Sequence, residues 1–324
     1  MSKYTICLDI GGSKILGALM DENNNIVCRV KKKTKPEAGV EAVDERIKSV
    51  IEELFETSGV AREEVKAIGA GAPGVIDTDR GVVLYAPNLP WREHQLGFNI
   101  SNAFGIPFIV GNDVNVGTLG EWKYGAAKGF SHVLGLFVGT GLGGGIVIDD
   151  KLFTGSLFAG AEVGHMTLNP DGPLCNCGQR GCLEAYASKI ALTKEIQAGL
   201  ARKVPSVLAE TYNEKDGVIK SSVLKKAVAV KDKLALDALD RAMYYLAAGT
   251  GNLINILNPQ VVVFGGGVVE ALEDEVMALV GKYIDRFAWP AMLSNAVIRP
   301  SLLKDDAILY GARALIAQKL GELS

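Results

Sequence analysis

A β-strand, a glycine turn and a second β-strand occur twice in this chain, about one domain length apart, and that repetition limits the possible folds more than any other feature. Thr5-Ile6-Cys7-Leu8-Asp9-Ile10 is a short apolar run, Gly11-Gly12-Ser13-Lys14 a turn, and Ile15-Leu16-Gly17-Ala18-Leu19-Met20 a second apolar run. A further turn at Asp21 to Asn25 leads into Ile26-Val27-Cys28-Arg29-Val30, so this end of the chain predicts a three-stranded antiparallel meander. The order returns in His132-Val133-Leu134-Gly135-Leu136-Phe137-Val138, its glycine turn and Gly145-Ile146-Val147-Ile148-Asp149-Asp150, where Val147-Ile148-Asp149 echoes Leu19-Met20-Asp21. With 324 residues, more than one core usually holds, two similar halves facing each other across a cleft are the expected architecture.

The remaining segments fit that plan. Residues 39 to 58 carry Val40, Val43, Ile47, Val50, Ile51 and Leu54 at helical spacing and stop at Gly59. Val65 to Gly71 reads as a strand running into Ala72-Pro73-Gly74, and residues 81 to 91, with Asn88-Leu89-Pro90-Trp91, read as a loop because of their prolines. After a helix start near Asn99, Pro107-Phe108-Ile109-Val110 is a strand that delivers Gly111-Asn112-Asp113-Val114-Asn115, where Asp113 has the position of a helix N-cap. Leu234 to Leu257 predicts a long helix, Gln260 to Phe264 a buried strand ending in Gly265-Gly266-Gly267, and residues 270 to 288 and 305 to 319 two more helices, the last packing back on the first domain.

The chemistry concentrates between Val138 and Glu184. Val138-Gly139-Thr140-Gly141-Leu142-Gly143-Gly144-Gly145 presents a backbone without Cβ atoms, whose N–H groups are free to meet a phosphate. Cys175, Cys177 and Cys182 lie close together with Gly178 and Gly181 between them, and His165 stands just upstream. Three thiolates and an imidazole suit tetrahedral Zn²⁺, and four protein ligands leave no open catalytic position, so such a zinc is structural. The alternative is a disulfide with a spare thiol, which an exported protein would favour. Glu162 and Glu184 flank the knot, so whatever holds the knot also aims these carboxylates. Cys7 and Cys28 sit in apolar strand patterns and read as small core residues.

Composition excludes several classes. A formal net charge of −3 gives no general electrostatic reason to bind nucleic acid or an anionic membrane, and Arg29-Val30-Lys31-Lys32-Lys33-Thr34-Lys35 reads as a strand with a solvated basic edge. The amino terminus runs straight into an apolar strand and no window is apolar enough to span a bilayer, so the expected location is the cytoplasm. Gly139-x-Gly141-x-x-Gly144 satisfies the dinucleotide fingerprint, with Glu162 downstream, but Gly145-Ile146-Val147-Ile148 alternates as a strand where that fingerprint needs a helix. No Gly-x-x-x-x-Gly-Lys-Ser/Thr run is present.

Asp9-Ile10-Gly11-Gly12-Ser13-Lys14, the run from Val138 to His165 and Cys-x-Cys-Gly-x-x-Gly-Cys-x-Glu together resemble the ROK family of sugar kinases and repressors, within the actin, hexokinase and Hsp70 superfamily. Gly71-Ala72-Pro73-Gly74, Asn88-Leu89-Pro90-Trp91 and Asn112-Asp113-x-Asn115 are most similar to the bacterial glucokinases of that family. Ser13 stands where the family more often has Thr, which keeps the hydroxyl. The resemblance implies an α/β, two-domain actin/hexokinase-like (ribonuclease H-like) fold with a ligand cleft, divided here into residues 1–112 plus 300–324 and residues 113–299. It also implies transfer of the ATP γ-phosphate to the 6-hydroxyl of glucose, with Asp113 as general base and Gly74, Asn88, Asn112, Glu162, His165 and Glu184 on the sugar.

Gly11, Gly12, Ser13, Lys14, Gly139, Thr140, Gly141, Gly143 and Gly144 then suit a phosphate cradle. Asp9 corresponds to the residue that holds Mg²⁺ through water, and Gly265, Gly266, Gly267 and Val268 to the border of the adenosine. Zn²⁺ falls to His165, Cys175, Cys177 and Cys182. Family members are usually dimers or tetramers. Kinases for N-acetylmannosamine, N-acetylglucosamine, fructose or allose share most of these motifs, and polyphosphate is an alternative donor. Repressor members add a DNA-binding segment before the Asp-x-Gly-Gly motif, where the eight residues ahead of Asp9 are too few for a helix-turn-helix. A sugar-responsive binding or regulatory protein is the non-enzyme alternative.

Overall fold

The computed structural model describes residues 3–213 and 217–322. In chain order the elements are β1 (Tyr4–Ile10), β2 (Lys14–Met20), β3 (Ile26–Lys33), α1 (Val40–Ser58), β4 (Val65–Ala72), β5 (Val75–Asp77), β6 (Val82–Tyr85), β7 (Arg92–His94), α2 (Leu96–Phe104), β8 (Phe108–Asn112) and α3 (Asp113–Tyr124). They continue with β9 (Val133–Val138), β10 (Leu142–Ile148), β11 (Lys151–Leu152), α4 (Lys189–Ala201), α5 (Leu208–Thr211), α6 (Ser221–Ala229) and α7 (Lys233–Leu257). β12 (Val261–Gly265), α8 (Gly267–Ala271), α9 (Glu273–Ile284), α10 (Pro290–Leu293), β13 (Val297–Pro300) and α11 (Ala307–Lys319) complete the chain. Among the described residues, no helix is long and apolar enough to cross a membrane.

The repeated hairpin is the start of a repeated sheet. One five-stranded sheet has the order β3-β2-β1-β4-β8 and the other β11-β10-β9-β12-β13, the same relative order twice. In the first, β1 runs antiparallel to β2 and parallel to β4, which runs parallel to β8. In the second, β12 runs parallel to both β9 and β13. Burial follows from position: interior strand β12 is apolar and buried throughout, whereas edge strand β3 alternates. The carboxyl ends of parallel strands are where ligands meet α/β sheets. Those ends carry Asp9 to Gly12, Ala72 to Gly74 and Asn112-Asp113 in one sheet, and Gly139 to Gly141 and Gly265 to Gly267 in the other.

By packing, the chain separates into two units: Met1–Gly129, Gly145–Ala161 and Asp305–Ser324 form one, Phe130–Gly144 and Glu162–Lys304 the other. The sequence boundaries at 112 and 300 differ from these for a packing reason: α3 and α11 cross with almost no side chain between them. A Cβ on Gly120 would overlap the Ala307 carbonyl, and one on Gly311 the Val116 carbonyl, so α3 stays with the first unit. Gly145 joins that unit as well, since a Cβ there would run into Thr118 of α3.

In the first unit α1 lays Val43, Ile47, Val50, Ile51 and Leu54 on the sheet, all fully buried. Each contributes on the order of 2 kcal/mol relative to exposure. Gly59 ends the helix in the left-handed conformation, its N–H meeting the Phe55 carbonyl. Cys7 is fully buried as expected, whereas Cys28 is only half-buried on β3.

Residues 81 to 91 correct the loop expected there. β5, β6 and β7 make a small antiparallel sheet, with Val83 opposite His94 and Tyr85 opposite Arg92. Pro87 and Pro90 sit in the turn between β6 and β7, where no ladder N–H is required, and Trp91 is buried beside His94, the rings stacked at 5.4 Å.

The helix crossing makes a direct prediction. Gly311→Ala is expected to destabilise the protein by about 3 kcal/mol, because its methyl group meets backbone that cannot rotate away. Urea unfolding measures this, and a midpoint equal to that of the parent would contradict the close crossing.

Candidate active site

In the first unit the residues singled out from sequence gather at the carboxyl ends of β1, β4 and β8. Asp9 pairs with Leu16 on one side and with Gly71 on the other, and a Cβ on Gly71 would lie 3.3 Å from Asp113 Cα. Asn112, rather than Asp113, is the N-cap of α3: its Oδ1 accepts from the N–H groups of Val114 and Asn115, both at 3.0 Å. Asn112 Nδ2 donates to the Gly74 carbonyl at 3.1 Å, which ties β8 to the turn after β4. Asp113 is thereby set in the first turn of α3, its Oδ1 accepting from the Val114 N–H at 2.9 Å.

Gly74 has φ 105°, and a Cβ there would overlap the Tyr85 carbonyl. The Gly11–Lys14 turn closes through the Gly11 N–H and the Lys14 carbonyl at 2.9 Å. Thr34, 1% exposed, braces it by donating its hydroxyl to the Gly11 carbonyl at 2.6 Å and its N–H to the Ser13 carbonyl at 3.1 Å. Sequence reasoning missed Thr34 because nothing local marks a threonine after a basic run as the brace of a distant turn. Gly12 packs against the backbone of Asn88, 3.1 Å from its carbonyl oxygen to an ideal Cβ.

Burial pushes the Asp9 carboxyl up to about 7; the Asp113 carboxylate adds to the rise, Lys14 opposes it, and Asp305 adds again. Asp305, at the approach to α11, is a second residue that the sequence did not single out. A desolvated carboxylate with two like charges near it is well suited to a divalent cation, whose charge would reverse all three effects.

In the second unit the glycine turn proper spans only Gly139 to Gly141, closed by the Gly139 N–H and the Gly141 carbonyl at 2.9 Å; Gly143 and Gly144 lie within β10. The strand after the turn agrees with the exclusion of a dinucleotide fingerprint. Gly139 faces open space, its nearest non-neighbouring atom 4.0 Å from an ideal Cβ, whereas a Cβ on Gly141 would overlap the Glu184 carboxylate. Glu184 Oε2 accepts from the Leu142 N–H at 2.9 Å, and its Oε1 lies 3.5 Å from Cys175 Sγ.

Gly266, with φ 86°, lies against the Val138 backbone, so the corners ending β9 and β12 are neighbours. Val268, which follows in α8, is fully buried. Lys189 and Ser221 also reach this corner, with Nζ 3.8 Å and Oγ 3.5 Å from an ideal Cβ on Gly267; neither was marked by a motif.

His165, Cys175, Cys177 and Cys182 bring their ligand atoms within 4.8 Å of one another. Cys175 Sγ is 3.8 Å from His165 Nδ1 and Cys177 Sγ is 3.7 Å from Cys182 Sγ. A tetrahedral Zn²⁺ with bonds of about 2.3 Å to sulfur requires S···S edges of roughly 3.8 Å, so these residues fit that ion. The same separation is far beyond a disulfide bond, and all the cysteines are free thiols.

The backbone shapes the knot by itself: the Cys175 N–H meets the Gln179 carbonyl at 2.8 Å and the Gly181 N–H the Pro173 carbonyl at 2.9 Å. Gly178 and Gly181 have φ 90° and 72°, as the doubling-back requires. Partial desolvation raises the Glu162 carboxyl, His165 opposes the rise and Glu184 adds to it, so these three groups share one local field although Glu162 keeps access to solvent.

The Asp9 shift predicts a dependence on pH. The folded protein retains a proton there that the unfolded chain releases above about 4, so stability falls as pH rises from about 4 to about 7. In magnesium-free buffer Asp9→Asn, which cannot ionise, is expected to be more stable than the parent at pH 8, by a few kcal/mol at most, with the difference vanishing near pH 4. Denaturant midpoints across that range measure it, and a variant less stable than its parent at pH 8 would refute the assignment.

A model described as the ROK family matches residues 5–319. The glucokinase of Thermotoga maritima is 34% identical over 317 residues, 98% of this chain and 98% of its own. A ROK family glucokinase from Streptomyces griseus, solved in complex with glucose and AMPPNP, is similar with a TM-score of 0.83 and 32% identity, covering 98% of this chain and 99% of that one. A ROK family transcriptional regulator, homologous to the E. coli MLC protein, reaches a TM-score of 0.87 at 27% identity, covering 99% of this chain and 79% of the other. The mixed α/β architecture with its twice-used sheet order is thus that of the ROK glucokinases, the actin/hexokinase-like fold. Matched over nearly its whole length by the family model, the chain belongs to the ROK family.

Proposed function

We propose that this protein is an ATP-dependent hexose kinase that phosphorylates the 6-hydroxyl of glucose, with Asp113 as general base. The observation that carries this is the placement of Asp9 and Asp113 at the ends of β1 and β8, on either side of β4, beside the Gly11–Lys14 turn and close enough for the Asp113 charge to raise the Asp9 pKa. That combination supplies a cation-binding carboxylate, a base and a bare-backbone turn within one unit. The T. maritima and S. griseus glucokinases are relatives of the same kind.

Phosphoryl transfer to an alcohol depends mostly on alignment and charge neutralisation, which Mg²⁺ would supply together with the protein's donors. Gly11, Gly12 and Gly139 offer backbone N–H groups, Ser13 and Thr140 hydroxyls, and Lys14 an ammonium. Asp9 would hold the Mg²⁺, and Asp113 accepts the proton of the acceptor hydroxyl as the bond forms. Gly265 to Val268 border the adenosine.

The sugar contacts proposed are Gly74, Asn88 and Asn112 in the first unit and Glu162, His165 and Glu184 in the second; Asn112 Oδ1 is already committed to its helix cap, so Asn112 contributes chiefly through Nδ2. A site that pairs each hydroxyl rejects epimers that leave a buried group unpaired. Zn²⁺ on His165, Cys175, Cys177 and Cys182 is structural. His165 presents Nδ1 to the cysteines, leaving Nε2 for a sugar hydroxyl.

The regulator's TM-score of 0.87 favours a second possibility, a sugar-responsive regulatory protein. ADP release with Mg-ATP and a panel of hexoses and N-acetylhexosamines separates the two. Turnover is expected with glucose above the other sugars, falling by about a thousandfold or more in Asp113→Asn. Turnover with another sugar would move the substrate, and no sugar-dependent turnover in folded, zinc-replete protein would favour the regulator.

Cys177→Ser is expected to lose bound zinc and to raise the KM for sugar, read by metal analysis and steady-state kinetics. Full zinc content with an unchanged KM would contradict the structural role of the knot.

A further inference from the structure

The proposed donor site leaves one charged group of the second unit unexplained. Lys189 opens α4 with its backbone fixed at both ends: its N–H donates to the Gly139 carbonyl at 3.0 Å, and its own carbonyl accepts from the Thr193 hydroxyl at 2.6 Å. The preceding Ser188, fully buried, caps the helix through the Ala191 N–H at 3.1 Å. The side chain therefore starts at the β9 corner, and its Nζ arrives at the β12 corner, 3.8 Å from an ideal Cβ on Gly267 and near Ser221 Oγ. With Gly266 lying on the Val138 backbone, Lys189 closes a third side around two adjoining glycine corners, of which Gly139 is open.

An ammonium in that position needs an anion. Among the described residues Nζ takes part in no hydrogen bond and no ion pair. Burial pulls its pKa below the usual lysine value, and the charge of Glu270 on α8 opposes this only partly. A half-buried lysine whose charge is desolvated and held in no ion pair would normally extend its flexible stem into water. Here its base is pinned by the turn it serves, and the nearby surface is bare backbone and a hydroxyl, which suits a phosphate chain.

We propose that Lys189 binds the phosphoanhydride chain of the phosphoryl donor, holding it over the Gly139 and Gly267 corners. This rests on the kinase reading above and adds a residue to it. The ammonium forms charge-assisted hydrogen bonds to non-bridging phosphate oxygens and so discriminates a nucleotide from its nucleoside. The same chemistry would serve a nucleoside polyphosphate or an inorganic polyphosphate.

Calorimetric titration of magnesium-free ADP, adenosine and tripolyphosphate into the parent, Lys189→Met and Lys189→Arg tests it. The parent is expected to bind ADP more tightly than adenosine. Lys189→Met should lose roughly ten- to a hundredfold in ADP affinity, leave adenosine unchanged, and be largely rescued in Lys189→Arg. Tripolyphosphate binding that disappears in Lys189→Met would show the inorganic chain on the same ammonium. Equal ADP affinity in parent and Lys189→Met overturns the assignment while the kinase reading stands, and so does a parallel loss of ADP and adenosine, which would mark a packing role. A folded parent that binds neither ADP nor tripolyphosphate overturns the donor reading itself.

Discussion

Close approach of bare backbone is the constraint on which this structure depends. Val116 and Gly311 bring α3 and α11 together at a distance that admits no Cβ, and the same α3 carries Asp113 in its first turn. Gly71, beneath α11, would place a Cβ into Ile308, so the strand beside Asp9 is also held by a missing side chain. The position of the proposed base is therefore set by helix packing well away from the chemistry. A helix that must lie directly on a glycine has little freedom to slide, which suits a residue whose work is to meet one hydroxyl.

Glycines of similar appearance divide into two kinds on this basis. Gly139 and Gly267 meet nothing tighter than ordinary van der Waals contact and remain available to a ligand, whereas Gly141 makes room for Glu184 and Gly266 for the Val138 backbone. The second kind connects separate parts of the unit. Glu184 is clamped by the Leu142 N–H beneath the glycine turn and lies against Cys175 of the knot. The turn, the carboxylate and the His165–cysteine cluster thus form one chain of contacts, and Glu162 lies within the electrostatic reach of His165 and Glu184.

Much of this was legible along the chain because it depends on local pattern. The period-two apolar runs around Gly11 and Gly139 give the repeated hairpin, the helical spacing from Val40 to Leu54 gives α1, and the Cys-x-Cys-Gly-x-x-Gly-Cys spacing with His165 gives a cluster whose atoms fit a tetrahedral ion. Residues 81 to 91 were less legible: their prolines mark the turn so strongly that the short β6 strand beside it is hidden, and its partner β7 has only three residues. The helix cap went to Asn112 instead of Asp113, since neighbouring side chains of equal capping ability are separated only by which one the Gly74 carbonyl also holds.

The sequence by itself determined the fold class, the duplicated strand order and the kinds of chemistry present, because hydrophobic period, turn residues and ligand spacing act over a few positions. Only the tertiary structure decided which glycines are open, that Thr34 braces the first turn, that Asp305 joins Asp9 and Asp113, and that Lys189 reaches from one glycine corner to the next. Each of these joins residues far apart in the chain. Their meeting is set by how strands align and helices cross, and no local pattern of residues carries that information.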